Sequence, residues 1–331
     1  MQKLDYSVLT TPISDDEVAA YKKIKSGGEF ILASYSYVWL VGLIAVALFF
    51  AQVLGLRSRV TYAQLYGIGG FMLTVATAIA YLAAARGRSE TILTKFALAN
   101  NATYIHDSYE TNYGGVIFNE GDSRKMIDAI KFTDGSQLGQ YQYKTGSGKS
   151  RQTHNWGFVS VKLPRRLPNM VLDSKRNNIF GFSNLPESLN SDQKLSLEGD
   201  FDKYFTLYAP QQYATDALYI FTPDVMQAAI DAGGKYDMEI IDDMFYVYTQ
   251  ANYNLSKKKN IQALVNIACK VGEEIAKQTD YYADTRVASR ELNIVAVPGQ
   301  RLKTGFSKLS IVMTVLYIIY ILAHIVRGLY A

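Results

Sequence analysis

The sequence predicts a membrane-anchored α+β protein. It has an N-terminal transmembrane helical hairpin, a cytoplasmic mixed α/β domain with antiparallel strands, a long helix and a C-terminal transmembrane helix. Three observations carry this. No charged side chain stands between Glu29 and Arg57, or between Arg59 and Arg86. Each gap exceeds the roughly 20 apolar residues that cross a hydrocarbon core. Near the end, Leu309 to Val326 is uncharged over 18 residues, about 27 Å of helix and enough to span. Between these stretches, strand-like alternation and helical periodicity follow one another, as in a folded domain.

The expected organisation is an amphipathic lead over 1–33, two spans within 34–86 and a soluble α+β domain over 87–254. A long helix and linker over 255–307 and a third span over 308–328 complete it. Charged residues make up 19% of the chain and hydrophobic ones 49%, a mix that suits a domain with a few spans rather than a polytopic transporter. The net charge of +4 gives no reason to expect a nucleic-acid partner. Cys269 is the one cysteine, so no intramolecular disulfide forms. The first apolar run begins after an acidic stretch, unlike a cleavable signal peptide.

In the lead, Ser14 and Glu17 have capping-box spacing. Val18, Tyr21 and Ile24 then share a face beside Lys22, Lys23 and Lys25, until Ser26-Gly27-Gly28 ends the helix. This is an amphipathic helix at the membrane surface, or a polar helix packed on the domain. In the spans, Ala47, Ala51 and Gly55, and then Gly70, Thr74 and Ala78, recur every fourth residue. Small residues at that spacing let helix backbones approach, so these ridges can close the hairpin or pair two copies into a homo-oligomer. Lysine and arginine bias sets the orientation. Lys22, Lys23, Lys25, Arg86, Arg88, Lys95, Arg301, Lys303 and Lys308 lie on one side, against Arg57, Arg59 and Arg327 on the other. The expected location is therefore the inner (plasma) membrane, with the N-terminus and main domain cytoplasmic and the C-terminus outside.

Ser89 to Asn101 continues helically out of the second span. Strands are expected from Tyr104, at Gly115–Phe118, Gln137–Lys144 and Trp156–Leu163, with Pro164 ending the last, and again at Val171-Leu172 and Leu195–Leu197. Gln211–Phe221 reads as a helix, and Thr222-Pro223-Asp224 as the start of another. Phe205 and Phe221 belong to apolar stripes and are expected in the core. Met238–Ile241 and Phe245–Thr249 read as two strands joined by an acidic turn at Asp242-Asp243. Ser256–Gln278 is amphipathic, with Ile261, Leu264, Val265, Ala268, Val271 and Ile275 at helical spacing.

Motifs for chemistry are sparse. Thr145-Gly146-Ser147-Gly148-Lys149-Ser150 lacks the first glycine of a phosphate loop, since Tyr143 stands there, and a strand rather than a helix follows it. His106, His154 and His324 show no metal spacing, so neither metal nor cofactor is expected. Gly181-Phe182-Ser183 does not complete a nucleophile elbow. Glu239, Asp242 and Asp243 have the chemistry to bind a cation, but read better as an exposed acidic turn. Charge is more informative. Lys162, Arg165, Arg166, Lys175 and Arg176 lie in a stretch poor in acids and are expected to form one exposed basic patch. Such a patch faces anionic lipid headgroups or an acidic protein partner.

Phe201-Asp202-Lys203-Tyr204-Phe205, Leu207-Tyr208-Ala209 and Tyr219 to Met226 resemble a bacterial membrane-protein family, domain of unknown function 3137. The likeness covers roughly Val159 to Thr249, with Phe221 where leucine is more usual. It implies a membrane-anchored protein and transfers no catalytic residue. The expected function is a binding or scaffolding module at the inner leaflet. The alternative is a membrane-anchored enzyme whose site no motif reveals.

The orientation is testable. In a Cys269→Ser background carrying Ser58→Cys or Ser147→Cys, an impermeant maleimide applied to intact cells should label position 58 and spare position 147. Labelling of 147 alone means the reverse orientation.

Overall fold

The computed structural model describes residues 4–25, 62–109, 113–178, 180–231, 234–250, 253–288, 291–305 and 308–329. The first expected span, with its Ala47, Ala51 and Gly55 ridge, lies outside the described residues. The chain forms two compact units: Tyr6–Phe96, and Ala97–Ala331 together with Met1–Asp5.

In the first unit, α1 (Asp15–Lys25) begins at the capping box that the sequence shows. The Glu17 amide donates to Ser14 Oγ at 3.2 Å, and the Ser14 amide donates to Glu17 Oε2 at 3.0 Å. The expected second span and its helical continuation form one element, α2 (Tyr62–Ala99), of 38 residues. Among the described residues, one helix is long and apolar enough to cross a membrane, over Gly69–Ala99. From Gly69 to Ala85 its side chains are mostly exposed, including Phe71, Leu73, Ile79, Tyr81 and Leu82; from Arg86 to Ala97 most are buried or half-buried.

The second unit is built on one antiparallel sheet. Its strands are β1 (Ala102–Ser108), β2 (Asp122–Phe132), β3 (Gln137–Thr145), β4 (Gln152–Ser174), β5 (Lys194–Leu195), β6 (Phe205–Tyr208) and β7 (Asp237–Gln250). The order is β1-β2-β3-β4-β6-β5, with β7 also on β4. β3 pairs with the first half of β4 and β6 with its last residues, while β7 runs along both halves. Helices α3 (Ala214–Ile220), α4 (Pro223–Asp231), α5 (Lys258–Thr279), α6 (Val297–Gln300) and α7 (Lys308–Leu329) follow or interleave. The α5 stripe of Ile261, Leu264, Val265, Ala268, Val271 and Ile275 is buried as its spacing implies. Gly272 lets this helix close on the sheet, because a Cβ there would meet Val161 Cγ2 at 2.7 Å.

Three strand expectations need correction. The sequence breaks β4 at Pro164 and β7 at Asp242-Asp243, but each is one continuous strand of 23 and 14 residues. The two break signals face each other. Lys162 pairs with Met244 and Leu167 with Asp242, so four residues of β4 oppose Asp243 alone. Proline cannot donate to a ladder and is tolerated at bulges, so Pro164 marks a kink rather than an end. Asp242 takes the other half of the strain, at φ +55°. Gly115–Phe118, expected as a strand, is a turn closed by the Phe118 amide on Gly115 O at 3.0 Å. β2 was not expected at all.

That turn delivers Phe118 to the centre of the core. Its ring centroid lies 4.9 Å from Tyr113 and Tyr141, 5.2 Å from Phe158 and 5.8 Å from Tyr246, mostly edge-on. Edge-to-face packing places ring edges on the negative faces of neighbours. Phe205 and Phe221 are buried as well. Truncating a buried Phe costs about 3–5 kcal/mol, so Phe118→Ala should lower the melting temperature of the full chain in detergent by roughly 10 °C. Phe180→Ala should leave it unchanged, since that ring is 96% exposed. Equal melting of the two variants would contradict this core.

Candidate functional site

Two sets of polar residues are candidates: the expected basic group and a buried acidic group. The basic residues fall into two places. Lys162 and Arg166 are exposed and Arg165 half-buried at the β4 kink. Lys162 Nζ stands 3.7 Å from Asp243 Oδ2. Arg165 Nε donates to the Asp280 carbonyl at 3.1 Å, and the Arg166 amide donates to Asn293 Oδ1 at 2.8 Å. Lys175 and Arg176 lie just past the other end of β4. Lys175 Nζ donates to the Asp202 carbonyl, and the Arg176 guanidinium sits 5.2 Å from the Tyr204 ring centroid. Lys175 lies nine positions beyond Arg166, about 30 Å along a strand. The expected short return to one edge therefore fails, because Pro164 does not end the strand.

The acidic group is Asp173 on β4, Asp237 and Glu239 on β7, and Glu187 in the loop before β5. Glu239 is buried, which corrects its expected place in an exposed turn, while Asp242 and Asp243 are half-buried. Asp242 pairs with Arg301 at 3.2 Å. Glu239 Oε1 accepts from Asn169 Nδ2 at 2.9 Å; its Oε2 accepts from the Val116 amide at 2.7 Å and Tyr248 Oη at 2.8 Å. Burial pushes this carboxyl up, against the pull of those three donors. Gly115 is pressed onto the same junction, since a Cβ there would meet Tyr248 Oη at 2.1 Å.

Asp237 accepts from the Ser174 amide at 2.9 Å and Asn177 Nδ2 at 2.8 Å. Its carboxyl is pushed up to about 7, first by burial, with the Asp173 charge adding to it. Burial pushes Asp173 up to about 6, offset in part by the Ser183 hydroxyl at 3.0 Å. Glu187 rises to about 7 through burial and then the charges of Glu120 and Glu239. A second polar centre behaves oppositely. Asp284 is also buried, which alone would raise it, yet Tyr213 Oη at 2.6 Å, the Ala296 amide and Arg286 hold it below its usual value.

This arrangement can hold protons near neutral pH, but its hydrogen bonds are directed inward. Two cavities lie elsewhere. One of about 340 Å³ is lined by Asp231, Lys235, Tyr236, Asn266, Ile267 and Lys270 between α4 and α5. A smaller one of about 80 Å³ includes Gln193, Pro210, Gln212, Pro298 and Arg301. Neither is lined by Asp173, Glu187, Asp237 or Glu239. Among the described residues, no group of three histidine, cysteine or acidic side chains is placed to hold a metal ion.

No family model matches this chain, and no curated protein matches it. Among solved structures, the crystal structure of the mycobacterial trehalose monomycolate transport factor A, TtfA, is similar at 11% identity. The likeness covers 56% of this chain and 92% of that chain, with a TM-score of 0.36. It is too distant to carry fold or function across.

The raised carboxyls make stability depend on pH. A folded-state value above the unfolded one means that the folded chain binds the proton more tightly. The contribution of Asp237 is therefore full below about pH 4 and lost as pH rises through about 7. Asp237→Asn should flatten this part of the profile. The drop in melting temperature between pH 5 and pH 8, read on the full chain in detergent, should be smaller than in the parent. An unchanged drop would mean that Asp237 is ionised throughout.

Proposed function

We propose that this chain is a membrane-anchored binding or scaffolding module. The carrying observation is the change of surface along α2. Its first half presents exposed apolar side chains from Phe71 to Leu82, and its second half is covered by protein from Arg86 onward. Exposed apolar surface of that extent on a helix calls for lipid. The reading extends to three spans: the uncharged stretch before Arg57, α2 and α7. Of these, α7 is a helix of 22 residues, about 33 Å long, with Val315 to Leu322 exposed. Membership of the domain of unknown function 3137 family belongs to the same proposal, as do the cytoplasmic placement of the N-terminus and main domain and the external C-terminus.

Binding is favoured over catalysis by the use made of the perturbed acids. Glu239 already accepts three hydrogen bonds from its own chain. Asp237 and Asp173 are likewise engaged by backbone and side-chain donors. An active-site acid needs a partner in a cavity, and the two cavities described are lined by other residues. Exposed Lys162 and Arg166 at the kink, and Lys175 and Arg176 beyond the strand end, offer two separate cationic contacts for anionic headgroups or an acidic protein.

Alkaline carbonate extraction of membranes tests the anchorage. The full chain should stay in the pellet, as integral proteins do. Release into the supernatant would reduce α2 to a helix covered by a protein partner.

A further inference from the structure

We propose that residues 301–305 form a releasable strap, which sets how closely the start of α7 is held to the sheet. Such a strap operates whether or not α7 crosses a membrane. The segment leaves α6 at Gln300 and is gripped mainly through its backbone. The Leu302 amide donates to Asn169 Oδ1 at 2.9 Å. The Lys303 amide donates to Gln193 Oε1 at 2.8 Å, and the Lys303 carbonyl accepts from Gln193 Nε2 at 2.7 Å and from the Asn190 amide at 3.0 Å. Thr304 bridges antiparallel to Leu189, and the Gly305 amide donates to the Ser188 carbonyl at 2.6 Å. The strap is a short strand added to residues 188–190, with two side-chain amides extending the ladder.

The two sides of this contact are unlike. Asn169 and Gln193 are buried, at 4% and 3% exposure. Arg301, Lys303, Thr304 and Gly305 are exposed, and Leu302 is half-buried. The strap therefore buries little apolar surface of its own. Hydrogen bonds hold it, together with Arg301 on Asp242 at 3.2 Å. A segment with few buried apolar contacts opens at a lower free energy than the core. Once it opens, two buried amides lose partners that only water can replace, and this draws the strap back. A backbone grip asks little of the side chains, with one exception. A Cβ on Gly305 would meet the Asn190 Cα at 3.0 Å, so any side chain there crowds the backbone of the ladder.

Opening changes reach. Closed, the chain runs three steps from Gly305 to Lys308, the first residue of α7, at most about 11 Å. Open back to Gln300, eight steps reach up to about 28 Å. The strap also ends on the residue that holds the buried junction, since Asn169 Nδ2 donates to Glu239 Oε1 at 2.9 Å. The start of α7 and the Glu239 carboxyl share one partner.

The test uses the full chain in detergent, in a Cys269→Ser background. Hydrogen exchange reads the strap amides at 302, 303 and 305. Spin labels on Asn266→Cys of α5 and Val315→Cys of α7, both exposed positions, read the distance between the domain and α7. In the parent the strap amides should be protected yet exchange faster than those of α5, with a narrow distance distribution. Gln193→Ala and, separately, Gly305→Val should speed strap exchange roughly tenfold. Each should also broaden the distribution toward longer distances and leave α5 protection unchanged. Strap amides that are unprotected in the parent, or that exchange only together with α5, overturn the strap. Faster strap exchange in the variants with an unchanged distance distribution overturns its hold on α7. Loss of α5 protection in both variants makes the segment part of the core and overturns its release.

Discussion

The second unit depends on a buried carboxyl that makes no ion pair among the described residues. Glu239 joins four segments: its own β7, Asn169 of β4, Val116 of the turn that carries Phe118, and, through Asn169 Oδ1, the amide of Leu302 at 2.9 Å. Asn169 can do this because it sits where the β4 register slips between Leu167 and Met170. An extra residue in a bulge re-aims a side chain, and here the Asn169 amide turns onto Glu239 Oε1 and the Ile240 carbonyl at 3.0 Å. The second register slip of β4, the core turn and the linker toward α7 thus meet at one junction. Removing a single partner would leave a buried polar group unsatisfied, which costs far more than the bond itself contributes net.

The two buried acid systems show why burial alone does not decide protonation. Asp284 and Asp237 are both shielded from water. Asp284 faces Arg286, whose guanidinium also bridges to Asp216 at 2.9 Å and lies 4.0 Å from the Tyr213 ring centroid. Its charge is matched, and its carboxyl is held low. Asp237 faces amides and another carboxylate, and its carboxyl rises. At Asp284 the Tyr213 hydroxyl and the Ala296 and Arg286 amides, ahead of the Arg286 guanidinium, outweigh burial, whereas at Asp237 burial and the Asp173 charge outweigh the Ser174 and Asn177 donors.

The helices were legible because their signals are local. The Ser14–Glu17 box, the Thr222-Pro223-Asp224 start and the α5 stripe each act within a few residues. The sheet was less legible because its signals are relational. Pro164 and Asp242 were recognised as breaks, but nothing in either segment says that the two breaks face each other across one ladder. β2 was hidden by its own irregularity: register shifts interrupt its alternation, and Asp128 is buried with its carboxylate accepting from Tyr104 Oη at 2.6 Å. Burial of Glu239 was equally unreadable, since two of its three donors come from residues 70 and 123 positions away. The basic residues were correctly found as exposed at Lys162, Arg166, Lys175 and Arg176. Their grouping failed with the strand end on which it relied.

On the membrane reading, α2 must satisfy two solvents along one axis. At 38 residues it is about 57 Å long, against a hydrocarbon core of about 30 Å. Nearly half of it therefore stands in water, where an apolar helix face needs cover. The N-terminal segment supplies part of that cover: Val18 packs near Gly87, and the Tyr6 ring lies 5.9 Å from Phe96, nearly parallel to it. Ion pairs to Arg88 and Lys95 hold the segment in place, though exposed pairs of this kind contribute little each. The N-terminal segment thus has a physical task that its own composition does not reveal. It packs on the half of α2 that the protein covers, through Val18 at Gly87 and Tyr6 at Phe96.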